Sequence, residues 1–221
     1  GLEGYQELKI SLAQEISTPP PVAIENVTKE DSCWIVFSKI ANDIHNSLEH
    51  TKRVLNPEDI EKAAKHIMAA KRIAVFGLGN SSSIAIDAQH KFLRAGLDAS
   101  AYCDNHMQAI AASHLNKGDV AIGISHSGSS KDVVEALKLS KTSGATTICI
   151  TNFGKSPIIK QSDIILFTAS EETKYSIFGM TSRIAQLAII DSLYTYIVLG
   201  KNEEGIKAIR ATERALQSKK Y

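Results

Sequence analysis

From Arg72 onward the chain alternates between short, uninterrupted apolar runs and longer stretches with helical spacing of apolar residues. The runs Arg72–Phe76, Asp98–Tyr102, Val120–Ser125, Thr146–Thr151 and Ile164–Phe167 are too short for helices. They lack the polar alternation of a half-exposed strand, so they predict strands buried on both faces. Helices are expected over Ser82–Ala95, Asp104–Leu115, Lys131–Ser143 and Thr181–Leu199, with a short turn at Pro157–Gln161 and a last helix over Asn202–Ser218. Strands that alternate with helices in this way imply a parallel sheet, and right-handed crossovers make it a three-layer α/β/α sandwich around five strands. The expected strand order is 2-1-3-4-5. In that order strands one and three flank the topological switch point, and the loops that follow them face one crevice.

Upstream, Tyr5, Leu8, Ile10, Leu12, Ala13 and Ile16 fall at helical spacing, and Ser17-Thr18-Pro19-Pro20-Pro21 then breaks the pattern. Asp31 or Ser32 is placed to cap a long helix reaching about Leu55, with Trp34, Phe37, Ile40, Ala41, Ile44 and Leu48 on one face. Asn56-Pro57-Glu58-Asp59 starts another: a capping side chain, a proline in the first turn, and acids at the positive end of the helix dipole. The expected division is therefore residues 1–24, a helical tail and proline-rich linker, and residues 25–221, one α/β domain with extra helices at each end.

The two loops at the switch point carry the chemistry. After strand three comes Ser125-His126-Ser127-Gly128-Ser129-Ser130, directly before an amphipathic helix. A helix start offers backbone N–H groups without intrahelical partners and the positive end of the dipole, and four serines add hydroxyl donors. After strand one comes Gly77-Leu78-Gly79-Asn80-Ser81-Ser82-Ser83, again leading into a helix. Either loop alone is ordinary helix capping; two in one crevice point to an anion, with phosphate the natural guest. Ser82 stands where a dinucleotide fingerprint needs its third glycine, and no acid closes the next strand, which weighs against a nucleotide cofactor.

Composition narrows the classes. Lys and Arg number 25 against 24 Asp and Glu, a net charge of +1, so this chain carries no strongly basic nucleic-acid surface. The three cysteines are scattered. Cys103 and Cys149 read as core residues of a reduced, cytosolic protein, and no leader or membrane-length apolar run is seen. His45 and His50 are not at metal-binding helical spacing, so neither a metal nor another cofactor is expected.

Gly79-Asn80-Ser81 and Ser125-x-Ser127-Gly128-x-Ser130 resemble the phosphosugar loops of sugar isomerase (SIS) domains, a flavodoxin-like fold. The stretches Lys71–Ser81, Asp87–Gly96, Asp104–Gln108, Gly118–Val120 and Ser182–Leu187 further resemble the effector domain of RpiR-type transcriptional regulators, over roughly residues 30 to 220. The resemblance implies that Ser81, Ser125, Ser127 and Ser130 hold the phosphate of a sugar phosphate, with Gly79, Asn80, Ser82, His126 and Gly128 adjoining. The last loop hydroxyl is Ser130 where the family usually has Thr, and the donor is kept. His126 reads equally as a ligand contact or a solvent-facing loop residue. Full members carry an N-terminal helix-turn-helix domain that binds DNA; Gly4–Lys9 looks like the last helix of one, so the DNA-reading helices are expected to be largely absent here. The helix at Ser32–Leu55 and the helix at Thr181–Leu199, apolar around most of its circumference, offer more apolar surface than one five-stranded sheet covers. Both are therefore expected to pack against a second copy in a homodimer or dimer of dimers, with no membrane partner.

A phosphosugar isomerase needs a base to move a proton between neighbouring carbons. Isomerases of this fold often use a Glu near the helix after strand two. That segment here reads Cys103-Asp104-Asn105-His106-Met107-Gln108. Asp104 reads as an N-cap and His106 as a pocket-lining residue that hydrogen-bonds a sugar hydroxyl. Glu171 and Glu172 read as a solvated pair. The expectation is a sensor without catalytic residues; the alternative is an isomerase or lyase on the same fold.

Overall fold

The computed structural model describes residues 27–170, 180–217 and 219. The expected helix at Tyr5–Ile16, the proline linker, and Glu171 and Glu172 lie outside these residues. The described chain runs α1 (Cys33–Val54), α2 (Pro57–Ala69), β1 (Ile73–Gly77), α3 (Asn80–Arg94), β2 (Ala99–Tyr102), α4 (Asn105–Ser113), β3 (Val120–Ile124), α5 (Lys131–Thr142), β4 (Thr146–Asn152), a 3-10 turn (Pro157–Gln161), β5 (Ile164–Thr168), α6 (Met180–Gly200) and α7 (Asn202–Gln217). All five strands are parallel, in the order β2-β1-β3-β4-β5.

Local chemistry sets the helix starts. The Ser32 hydroxyl accepts from the Ile35 amide at 3.3 Å, the Asn56 side chain from Glu58 at 2.8 Å, and the Asp104 carboxylate from Met107 at 3.0 Å. Successive strand residues feed opposite cores. Ile73, Val75, Ile122 and Ile150 pack under Ala63 and Ile67 of α2, Ile84 and Phe92 of α3, and Ile189 and Leu193 of α6. Ala74, Phe76, Ala121 and Cys149 pack against Ala112 of α4, Val133 and Leu137 of α5, and Ile158 of the turn. These strands are buried on both faces, which is why their sequences show no polar alternation.

Three expectations are corrected. Helix α3 begins at Asn80, two residues before Ser82, because Gly79 serves as its N-cap. Cys103 is exposed, since it lies one residue beyond the edge strand β2, where no neighbouring strand covers it. The apolar circumference of α6 is covered largely within this chain, by α1, α2, α3 and α7. On α1, by contrast, Trp34 and Phe37 stand 72% and 60% exposed, their rings stacked at 5.6 Å.

Candidate functional site

Strands β1 and β3 are hydrogen-bonded neighbours with Gly77 paired to Ile124, so the chain leaves both strands at the same level. The loop after β3 is a tight serine turn. The Gly128 amide donates to the Ser125 carbonyl at 3.1 Å, and the Ser125 and Ser130 hydroxyls lie 3.1 Å apart across the loop. Ser130 is the N-cap of α5 but makes no side-chain capping bond, which leaves its hydroxyl facing Ser125. Ser127 is exposed and its hydroxyl oxygen accepts from the Ser129 hydroxyl at 2.9 Å and the Ser129 amide at 3.3 Å. Two buried or half-buried hydroxyls, of Ser125 and Ser130, and two exposed ones, of Ser127 and Ser129, thus rim the start of a twelve-residue helix.

Gly128 makes this turn possible. It has φ +61°, and a Cβ there would meet the Ser156 hydroxyl at 2.2 Å and the Thr151 hydroxyl at 2.8 Å. The loop is held from behind as well: the Ile158 amide donates to the Gly128 carbonyl at 3.0 Å, and the Asn152 amide to the His126 carbonyl at 3.0 Å. His126 is half-buried.

The loop after β1 is built differently. Gly79 has φ +56°, and Asn80 to Ser83 form the first turn of α3. The Ser82 hydroxyl donates to the Gly79 carbonyl at 2.6 Å and the Ser83 hydroxyl to Asn80 at 2.9 Å. Their protons are therefore engaged within the turn. Ser81, half-buried beside Ser82, is the serine of this loop best placed to offer a donor to a guest.

His106 is exposed in the first turn of α4 and lines a groove of about 330 Å³ with Asn105, Ala109, Asp132 and Glu135. Asp132 lies two residues past Ser130, so this groove starts near the serine turn. Asp104 spends its carboxylate on the Met107 amide, in keeping with a cap. The Cys103 thiol donates to the Ser82 carbonyl at 3.7 Å, and partial desolvation raises its pKa, while the full burial of Cys149 raises that thiol's pKa to about 11. Neither thiol has the character of a nucleophile. Among the described residues no group of His, Cys, Asp and Glu gathers as a metal site, and no single helix is long and apolar enough to cross a membrane.

Sequence reasoning missed a buried polar layer behind and beside the loops. Thr151, Thr168, Ser170, Thr181 and Gln186 are all buried, and Ser156 places its hydroxyl under Gly128. The Lys91–Asp191 ion pair at 2.8 Å ties α3 to α6, whose first turn contributes Thr181. The available signal was hydroxyl residues at the ends of otherwise apolar strands.

This arrangement, serine turns at the switch point of a five-stranded parallel sheet, defines a class of protein. The SIS domain family matches residues 66–196. The chain aligns over all its length with 78% of the Vibrio vulnificus NanR protein complexed with ManNAc-6P, at a TM-score of 0.79 and 22% identity, a likeness of fold. An uncharacterized HTH-type transcriptional regulator of Caldanaerobacter subterraneus is 40% identical over 220 residues, which cover 100% of this chain and 78% of that protein. The HTH-type transcriptional regulator RpiR of Escherichia coli K12 is 32% identical over 197 residues, 89% of this chain and 67% of that one. The chain belongs to the RpiR-type family of SIS-domain transcriptional regulators.

Proposed function

We propose that residues 25–221 are the effector domain of such a regulator and bind a sugar phosphate without turning it over. The observation that carries this is the Ser125–Ser130 hydroxyl pair, 3.1 Å apart at the start of α5 and one strand away from the start of α3. Ser81, Ser125, Ser127 and Ser130 hold the phosphate, with Gly79, Asn80, Ser82, His126 and Gly128 shaping the turns. The two helix dipoles and the loop N–H groups add to the hydroxyls. His106 reaches the sugar. The NanR fold relative, crystallised with ManNAc-6P, supports a phosphosugar as the guest. The relatives' names support control of DNA binding, through a helix-turn-helix part to which residues 1–24 lead. A regulator that reads DNA works in the cytoplasm, and a homodimer suits a palindromic operator. The groove around His106 has no Glu from the segment after β2, and Asp104 is committed to its cap, which supports sensing over isomerisation.

Titration calorimetry with a panel of hexose phosphates tests this reading. Ser127→Ala is expected to weaken the best ligand about tenfold while the fold survives, since the residue is exposed. Equal affinities remove Ser127 from the site. In deuterated buffer, no protein-dependent exchange at carbon two of the bound sugar is expected; exchange that His106→Ala abolishes restores the isomerase.

A further inference from the structure

Helix α1 has 22 residues, yet the only two of them buried are Ser47 and Thr51, one turn apart. Buried hydroxyls need partners. Both find theirs on a single residue of a distant segment: the Ala169 amide donates to the Thr51 hydroxyl oxygen at 3.0 Å, and the Ser47 hydroxyl donates to the Ala169 carbonyl at 3.3 Å. Ala169 is the first residue after β5. Its neighbour Ser170 donates its amide to the Asn152 side-chain oxygen at 3.0 Å. Asn152 ends β4 and donates its own amide to the His126 carbonyl, which also takes the Thr151 hydroxyl at 3.3 Å. The strand ends are laced together on the way, with the Phe153 amide on the Thr168 carbonyl at 2.7 Å and the Thr168 hydroxyl on the Thr151 carbonyl at 3.3 Å.

We propose that this chain of hydrogen bonds, from His126 through Asn152 and Ala169 to Ser47 and Thr51, couples occupancy of the serine turn to helix α1. The proposal rests on the effector reading and names its regulation. The His126 carbonyl and the Ser127 amide belong to one planar peptide unit, so a force on one end turns the other. An anion that takes the Ser127 N–H tilts the carbonyl that Asn152 and Thr151 hold. Asn152 carries the shift to the β5 exit, and Ala169 delivers it to α1. A continuous hydrogen-bond network between rigid elements is one of the physical routes by which such a shift is carried. At its other end α1 presents Trp34 and Phe37 to solvent and follows residues 1–26, so its motion is available to whatever lies on that side.

Backbone hydrogen exchange on the full 221-residue chain tests this, with D-glucose 6-phosphate and inorganic phosphate as probes and calorimetry on the same samples. Binding of either probe is expected to change exchange at the Ser47–Leu55 amides by about threefold or more. Asn152→Ala, and separately Ser47→Ala with Thr51→Val, are expected to abolish the change in α1 while affinity stays within about threefold of the parent. Thr51→Ser, which keeps the acceptor, retains it. If the α1 double variant fails to fold by circular dichroism, Asn152→Ala carries the test, since it leaves the contacts of α1 intact. Binding without a response in α1, or a response that survives Asn152→Ala, overturns the relay and leaves the effector reading standing. If calorimetry shows that neither probe binds, the exchange test is run with the best ligand of the hexose phosphate panel, and a panel without any ligand overturns the effector reading and the relay with it.

Discussion

Gly128 concentrates the demands of the site on one residue. Its left-handed backbone turns the chain back so that Ser125 and Ser130 meet, and its missing side chain leaves room for Ser156 and Thr151. Gly128→Ala adds a Cβ that neither hydroxyl can avoid without moving β4 or the 3-10 turn. We expect loss of about 2 kcal/mol or more of stability and of measurable phosphosugar binding, read by urea unfolding and calorimetry. Asp119 is the counterpart for stability. Burial pushes its carboxyl up, but hydrogen bonds from the Arg72 guanidinium at 2.8 Å and the Asn116 amide outweigh this and hold it below its ordinary value. The folded state therefore gains from ionised Asp119 fully above the unfolded carboxylate value near 4 and loses that gain as pH falls through the lower folded value. Arg72 is half-exposed, so Asp119→Ala is expected to cost only about 2 kcal/mol at neutral pH. The difference from the parent should shrink in unfolding curves recorded below pH 4.

At the scale of elements, what is local was legible in the sequence and what is distant was not. The strand order, though it matches the expected one, is a long-range pairing that rests on the general topology of such folds. The five apolar runs and the caps at Asn56 and Asp104 follow from residues within a turn or a strand of one another. The Ser125–Ser130 turn was legible for the same reason: strand, loop and helix are contiguous. The clamp on Ala169 was not, because Ser47 and Thr51 lie 122 and 118 residues from it and resemble any polar interruption of an amphipathic helix. Nor was the cover of α6, since its apolar surface does not say which helices fill it. The edge strand β2 shows a further distant device: the Gln89 side chain on α3 accepts from the Ala101 amide at 2.5 Å, closing an edge donor that would otherwise be open to pairing. Gln89→Ala is expected to cost about 1 kcal/mol and to raise concentration-dependent aggregation, checked by thermal melting with light scattering.

For the whole molecule, the proposed dimer places its demand on α1, where the stacked rings of Trp34 and Phe37 stand exposed side by side. Light scattering at micromolar concentration is expected to show at least a dimer, and Trp34→Glu with Phe37→Glu to yield monomers of unchanged fold; a parent that is already monomeric removes α1 as an interface. The central claim is that a sugar phosphate sits across the two serine turns at the switch point. Nuclear magnetic resonance of the 15N-labelled chain, titrated with D-glucose 6-phosphate and with D-glucose, addresses it most directly. The phosphate ester is predicted to shift the amides of Asn80–Ser83 and of Ser127–Val133 together, and D-glucose to leave both sets in place. Shifts confined to another cavity, such as the one of about 320 Å³ between Arg72, Ser100, Tyr102 and Ile110, would contradict it, as would equal effects of ester and sugar.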